Sequence, residues 1–400
     1  MRKKIQGILC FSLIGLAAPA GAVTGLEGVS ISGFLTAGAT YGDKQLLSTT
    51  KAVSQDGTIE NTPGFTADSR LGLQISAKVN QDISVTGQLL AKAREDNSSV
   101  IADWAFVNYR MSEQVSVRAG KIKFPTFLIS DYYEVGYAYP WIRPPQEVYS
   151  SNPITTLNGV DVLARFRLGD TALLVQPYYG VSRGAQALVP QETAMAFPIC
   201  FDPTPTPVPG FEPCPAGTVL YTDFTADALH GINVSLSSDI FTIRAGSLKT
   251  KVNAPGFGVF QDTAKFSSVG LTMDWHNVVL YSEAFKREIE GTANLAFPNQ
   301  KGSYVTLGYR IGKWLPHFTS ARIKDNNDPL VMGFDVPLEQ TSKTLGLRYE
   351  VGSGAALKFE AQKVTPKEGT RGLLISAPSA APTDPGNDVM FYGISLDVVF

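Results

Sequence analysis

The stretch "RLGLQISAKVNQDISVTGQLLAK", Arg70 to Lys92, reads as two strands and a turn. Leu71, Leu73, Ile75, Ala77 and Val79 fall on one face of an extended chain, while Arg70, Gln74, Ser76 and Lys78 fall on the other. Asn80-Gln81-Asp82 interrupts the alternation, which then resumes over 83–93. A period of two on both sides of a short polar break is a β-hairpin with one apolar and one polar face.

The energetics of the two faces decide their surroundings. A Lys or Arg held in lipid at the midplane of a bilayer costs roughly 2–4 kcal/mol, so a barrel wall tolerates basic residues only on its water-filled side. The polar face is therefore expected to line a lumen. The same phase sends Arg118, Asp161, Arg165, Arg167, Arg244, Glu283, Arg310, Arg348, Lys358 and Glu360 inward, and Phe241, Leu307, Tyr349 and Phe359 toward lipid.

Working outward from the hairpin, segments of this kind recur sixteen times, near 29–41, 69–79, 83–93, 101–111, 115–122, 158–168, 171–181, 224–237, 240–250, 264–274, 277–287, 302–311, 315–325, 342–351, 355–364 and 388–400. The connections after even-numbered segments are short, whereas those after odd-numbered ones are mostly long, as in 42–68, 123–157, 182–223, 326–341 and 365–387. That segregation predicts an all-β fold: a transmembrane antiparallel up-and-down β-barrel of about sixteen strands, with periplasmic turns and long extracellular loops. A soluble sandwich has no reason to sort its loops in this way.

The remaining features agree with export. Arg2, Lys3 and Lys4, an apolar run from Ile8 to Ala18 and the small residues Ala20-Gly21-Ala22 form a secretory signal peptide over 1–22, and the apolar run is too short for a membrane anchor. Residues 23–400 then form the barrel domain. Loss of the leader takes the formal net charge of −2 to about −5, which excludes a nucleic-acid binder that works through bulk charge. Cys10 leaves with the leader. Cys200 and Cys214 flank a Pro-rich stretch and, in an exported chain, are expected to form a disulfide across a surface loop.

"YGISLDVVF", Tyr392 to Phe400, carries the same alternation to the last residue of the sequence. Its strand is expected to pair with "VSISGFLTAGATY", Val29 to Tyr41, and so remove both open edges. At this point the chain resembles the Gram-negative outer-membrane porins of the sixteen-stranded general-diffusion type. The resemblance rests on the leader, the sixteen segments, the long third loop and the final Phe400. It implies an outer-membrane location, Phe400 as an assembly signal read by the barrel assembly machinery, a homotrimer, and a third loop at 123–157 that folds inward as a constriction.

That loop contains "FPTFLISDYYEVGYAYPWIRPPQEVYSSNPITTLNG", Phe124 to Gly159. Its prolines stiffen the backbone, and its aromatics, Tyr133 and Trp141 among them, are large and amphipathic. Asp131, Glu134 and Glu147 are expected to oppose a basic wall of Arg70, Lys92, Arg94, Arg118, Arg165 and Arg167, with Arg143 in the loop complicating the balance. Such a transverse field favours polar solutes, and the excess of inward basic residues predicts a weak anion preference. The function expected is passive diffusion of small hydrophilic solutes. The alternatives are a selective channel with a saturable aromatic site, and a barrel enzyme. The enzyme reading is poorly supplied with histidine: His230, His276 and His317 are the only ones, and each is expected at a turn or interface. No cofactor motif and no metal-ligand spacing is present, so the expected partners are outer-membrane lipid, lipopolysaccharide and the permeating solutes.

Overall fold

The structure, a computed structural model, describes residues 28–43, 46–48, 58–59, 62–93, 99–189, 220–255, 259–291, 293–296, 298–325, 330–331, 334–335, 339–368, 372–376 and 388–400. The leader at 1–22, Arg94, Cys200 and Cys214 lie outside the described residues.

All sixteen expected strands are present: β1 Val29–Gly42, β2 Arg70–Lys78, β3 Ile83–Lys92, β4 Ser99–Arg110, β5 Val115–Lys123, β6 Thr156–Leu168, β7 Thr171–Val189, β8 Leu220–Ser237, β9 Phe241–Ala254, β10 Val259–Trp275, β11 Val278–Ile289, β12 Gln300–Tyr309, β13 Trp314–Asp325, β14 Gln340–Gly352, β15 Ala355–Pro366 and β16 Val389–Val399. Each pairs antiparallel with its neighbours in sequence, and β1 pairs with both β2 and β16, so the sheet closes. No helix among the described residues is long and apolar enough to cross a membrane. Closure supplies the alternative, because every ladder bond is made within the wall.

The expected faces hold. Leu71, Leu73, Ile75 and Val79 lie on the outer surface, whereas Arg70, Arg118, Asp161, Arg244, Glu283, Arg348, Lys358 and Glu360 are buried within the barrel. Tyr109, Trp275, Tyr309 and Trp314 project outward at the short-turn end, as an interfacial aromatic girdle does. The turns are built locally. Asn80 Oδ1 accepts the amides of Asp82 and Ile83 at 2.9 and 2.8 Å, and His276 and Asn277 both take positive φ in the tight link between β10 and β11.

The seam shows why an aromatic residue suits position 400. Gly33 and Phe400 exchange backbone hydrogen bonds of 2.7 and 2.9 Å, and the Phe400 ring covers the place where a Cβ on Gly33 would stand, 2.5 Å away. Three details depart from the sequence reading. The hairpins β7–β8 and β9–β10 run farther toward the loop end than 181, 224, 250 and 264. A small sheet joins Leu46–Ser48 to Thr58–Ile59 and Leu374–Ser376, inside loops read as irregular. His317 is also not interfacial: it is buried on the inner wall of β13.

Val305 lies outward near the middle of the apolar band, while Ile311 sits beside a turn. Val305→Arg should destabilise the barrel folded in lipid vesicles by about 2–4 kcal/mol, and Ile311→Arg by only ~0–1 kcal/mol. Urea titrations in vesicles measure both.

Candidate functional site

The chain between β5 and β6, residues 124–155, lies inside the barrel. The Phe124 amide donates to the Thr155 carbonyl at 3.0 Å and closes the neck of the loop. Ile129, Val148 and Tyr149 are almost wholly buried, as are Tyr139 and Trp141. The wall around them is partly apolar, with Tyr178, Leu248, Phe266 and Phe285 packed against the loop's own apolar side chains, and beside that packing the loop backbone needs polar handles on every side. It has them.

The descending limb runs down the β8–β11 wall. Asn233 donates to the Pro125 carbonyl, and Ser268 Oγ donates to the Thr126 carbonyl at 2.6 Å. Glu283 accepts the Leu128 amide at 2.8 Å, and Arg244 donates to Asp131 at 3.0 Å. The deepest part, Ser130 to Ala138, contains two short 3-10 turns. Here Glu134 meets Lys92 at 3.1 Å and Arg70 at 3.6 Å, and the Arg70 guanidinium also donates to the Tyr139 hydroxyl at 2.8 Å.

The far contact spans the seam of the barrel. Lys358 Nζ on β15 donates to the carbonyls of Gly136 and Trp141 at 2.6 and 2.7 Å and pairs with Asp397 of β16 at 3.0 Å. Asp397 in turn accepts from Thr36 of β1 at 2.6 Å. A Cβ at Gly136 would stand 2.0 Å from Asp397 Oδ1, so only glycine brings the loop backbone this close. Arg348 adds bonds to the carbonyls of Tyr137 and Tyr139 at 2.6 and 2.9 Å and lies over the Tyr137 ring.

The ascending limb is equally held. Trp141 Nε1 lies 2.9 and 3.0 Å from the hydroxyls of Thr306 and Thr319, and Glu360 accepts the Ile142 amide at 2.9 Å. Arg143 forks onto Asp68 with bonds of 2.9 and 2.6 Å. A one-turn helix, Gln146–Tyr149, then places Glu147 against Gln340 at 2.8 Å and the Tyr149 hydroxyl on Glu283 at 2.8 Å. Tyr133 stacks obliquely on Tyr149, with ring centroids 5.5 Å apart.

The expected opposition of loop acids to Arg118, Arg165 and Arg167 is not what the structure shows. Arg118 forms a forked pair with Asp161 across β5 and β6, and Gln176 donates to the same carboxylate at 2.7 Å. Arg165 is half-buried and reaches the Ser116 hydroxyl at 3.4 Å, and Arg167 is exposed near the turn between β6 and β7. Of the expected wall, Arg70 and Lys92 do meet a loop acid, Glu134, whereas Asp131 meets Arg244 and Glu147 meets Gln340. Strand phase places a side chain inside the barrel, but it does not say which part of the wall the loop leans on. Arg244, Glu283, Arg348, Lys358 and Glu360 were legible as inward residues. Their role as loop anchors was not, and Asp68 and Asp397 were missed. Asp397 had a signal: it is the one charge within the alternation of Tyr392 to Phe400.

The two buried loop carboxylates differ in character. Burial raises the pKa of Glu134, but Lys92 and then Arg70 outweigh that and hold it below the ordinary range. Burial also raises that of Glu147, and its neutral partner Gln340 offsets this only in part. Glu134 is thus a charged anchor, and Glu147 a group that the fold prefers protonated.

No protein family matches the chain by sequence, and no curated protein does. Among solved structures, in-vitro folded OmpT, an outer membrane protein of Vibrio cholerae, aligns over 95% of this chain and 100% of its own, with 13% identity and a TM-score of 0.56. An anion-selective porin from Comamonas acidovorans aligns over 93% and 99%, with 13% identity and a TM-score of 0.55. The outer membrane channel DcaP of Acinetobacter baumannii aligns over 93% and 97%, with 12% identity and a TM-score of 0.53. The shared property is the fold, the closed sixteen-stranded barrel of outer-membrane porins.

Lys358→Met should strip the partner from Asp397 and from two carbonyls, weakening loop docking by about 3–5 kcal/mol. Hydrogen exchange at the amides of 136–142 should accelerate accordingly. The two carboxylates should respond oppositely to pH. The docking contribution of Glu134 is lost as pH falls through its depressed value, whereas the burden of Glu147 is relieved as pH falls from its raised value toward the ordinary carboxylate range. Glu147→Gln should make exchange at 146–149 slower at neutral pH and remove its acid dependence, while Glu134→Gln should speed exchange at 133–138.

Proposed function

We propose that the chain is an outer-membrane channel through which small hydrophilic solutes diffuse, with a weak preference for anions and no catalytic step. The observation that carries this reading is a closed barrel, apolar outside and with charged and polar side chains along its inner wall, whose long third loop is anchored in the lumen rather than over the mouth. The buried limb of the loop, residues 139–149, fills space against the wall. Its deep segment keeps Asp131, Tyr132, Tyr133 and Tyr137 partly open to solvent. The permeation path runs past that segment, along the wall of β2–β8, where Gln74, Thr86, Phe106 and Arg165 are also half-exposed.

The ion preference follows from which charges are already engaged. Asp131 and Glu134 are paired with bases, and Glu147 sits against an amide. Arg118 is paired with Asp161. Among the described residues no carboxylate pairs with Arg165 or Arg167, so the uncompensated charge along the path is positive. A positive lumen raises the local concentration of anions. The anion-selective porin of the same fold is in keeping with this reading. A homotrimer is proposed as well, supported by a trimer form of the Vibrio outer-membrane protein, which has 12% identity and a TM-score of 0.52.

Planar-bilayer recordings test the proposal. In a potassium chloride gradient, Arg165→Gln with Arg167→Gln should move the reversal potential toward cation preference. The shift should fade at high salt as the Debye length falls from ~10 Å at 0.1 M to ~3 Å at 1 M. Replacing Tyr132, Tyr133 and Tyr137 by alanine should raise single-channel conductance at every salt concentration. Channels that conduct identically before and after the tyrosine changes would place the path elsewhere.

A further inference from the structure

One side chain on the water-filled path is out of keeping with its neighbours. Phe106 lies on the inner face of β4, opposite Thr86 of β3 and Gly120 of β5, with the Arg118 guanidinium 5.2 Å from its ring centroid. Trp104 meets it edge-on from the same strand, with 6.0 Å between centroids. Trp104 is buried, but Phe106 is half-exposed. Among the described residues, the other half-exposed side chains on the inner faces of β2–β6 are polar, as at Gln74, Ser76, Thr86 and Arg165. Apolar surface left in water forgoes about 25 cal/mol per Å². A polar residue at 106 would serve a path for ions alone.

The surroundings of the ring select its partner. The loop tip faces this wall: Asp131 acts electrostatically on Arg118, and Tyr132 and Tyr133 pack with Phe106 against one apolar cluster. The hydrogen-bonding groups nearby are engaged with one another, Gln88 with Gln74 at 3.3 Å, Ser76 with Thr86 at 3.0 Å and Gln176 with Asp161 at 2.7 Å. A sugar would find few donors or acceptors left for its hydroxyls. Charge is distributed otherwise. Asp161 is paired with Arg118, whereas Arg165 reaches the Ser116 hydroxyl at 3.4 Å and has no carboxylate partner among the described residues. Ser116 lies four residues along β5 from Gly120. That is about 14 Å at ~3.4 Å per residue, with Arg118 in the row between. An apolar ring and an unpaired cation thus share one face, separated by the length of a short side arm.

We propose that this face binds aromatic carboxylates whose acid group is carried on a short arm: the ring stacks on Phe106 and Arg118, and the carboxylate reaches Arg165. Ring–ring and guanidinium–ring contacts add to simple burial, and a guanidinium–carboxylate fork fixes the orientation. The site rests on the channel reading and names a solute class for it. A solute held on the path must leave before the next one binds, so its passage saturates.

Single-channel recordings of the full-length protein in potassium chloride, with phenylpropionate added to one side, test it. The anion should interrupt the current in a saturable way. Cyclohexylpropionate, alike in charge and carbon skeleton but without a π face, should need a concentration about 5-fold higher for the same block. Phenylpropanol, which lacks the charge, should need one at least ~10-fold higher. Phe106→Leu should abolish the difference between the two acids, and Arg165→Gln the advantage of the acid over the alcohol, with strand content by circular dichroism checking that both variants fold. Equal block by the two acids in wild type, block without saturation, or an aromatic preference that survives Phe106→Leu would overturn the site and leave the channel reading standing. A bilayer without potassium chloride conductance would overturn both.

Discussion

Every backbone N–H and C=O in the wall of a membrane barrel must find its partner in the wall itself, because hydrocarbon offers none. In this chain that constraint falls hardest on the pairing of β1 with β16, which joins residues 349 to 365 positions apart, from Phe34 opposite Val399 to Gly42 opposite Phe391. Until that seam forms, two strands are left with open edges. Once it forms, the alternation of each strand has only one consistent outcome, apolar to lipid and polar to the lumen.

The loop between β5 and β6 depends on the same closure. Its far anchor is a buried relay in which Thr36 of β1 donates to Asp397 of β16, Asp397 pairs with Lys358 of β15, and Lys358 donates to the carbonyls of Gly136 and Trp141. Each strand at the seam contributes one member. The loop docks on a surface that does not exist before the barrel closes, and after docking it ties the three strands together from inside. A buried charge that lacks its partner is costly, so the relay either forms as a unit or strongly disfavours the closed state. This arrangement couples the integrity of the wall to the shape of the path it encloses.

The proposed channel function rests on an imbalance of charge rather than on any single residue. The loop is rich in acids and aromatics, but its acids are spent on anchoring, which leaves the tyrosines and the unpaired arginines of β6 to face the path.

Strand identity, the count of sixteen, the inward set and the sidedness of the loops were all carried by the sequence, because a period of two is a local property and each charged side chain in Arg70 to Lys78 or Arg244 admits only one face. The inward course of residues 124–155 was suggested by resemblance and not by any local pattern. That some loop acid would face Arg70 and Lys92 was legible, but which acid met which base was decided by tertiary structure. Arg118 and Asp161 are nearest neighbours across a ladder and satisfy each other, so of the expected basic wall only Arg70 and Lys92 hold a loop acid, and Arg244 and Lys358 supply the other basic anchors. Register fixes such pairs, and register depends on turn geometry and bulges summed over many strands. Alternation tells each residue which side of the wall it occupies, and only the closed barrel tells it what stands across the water.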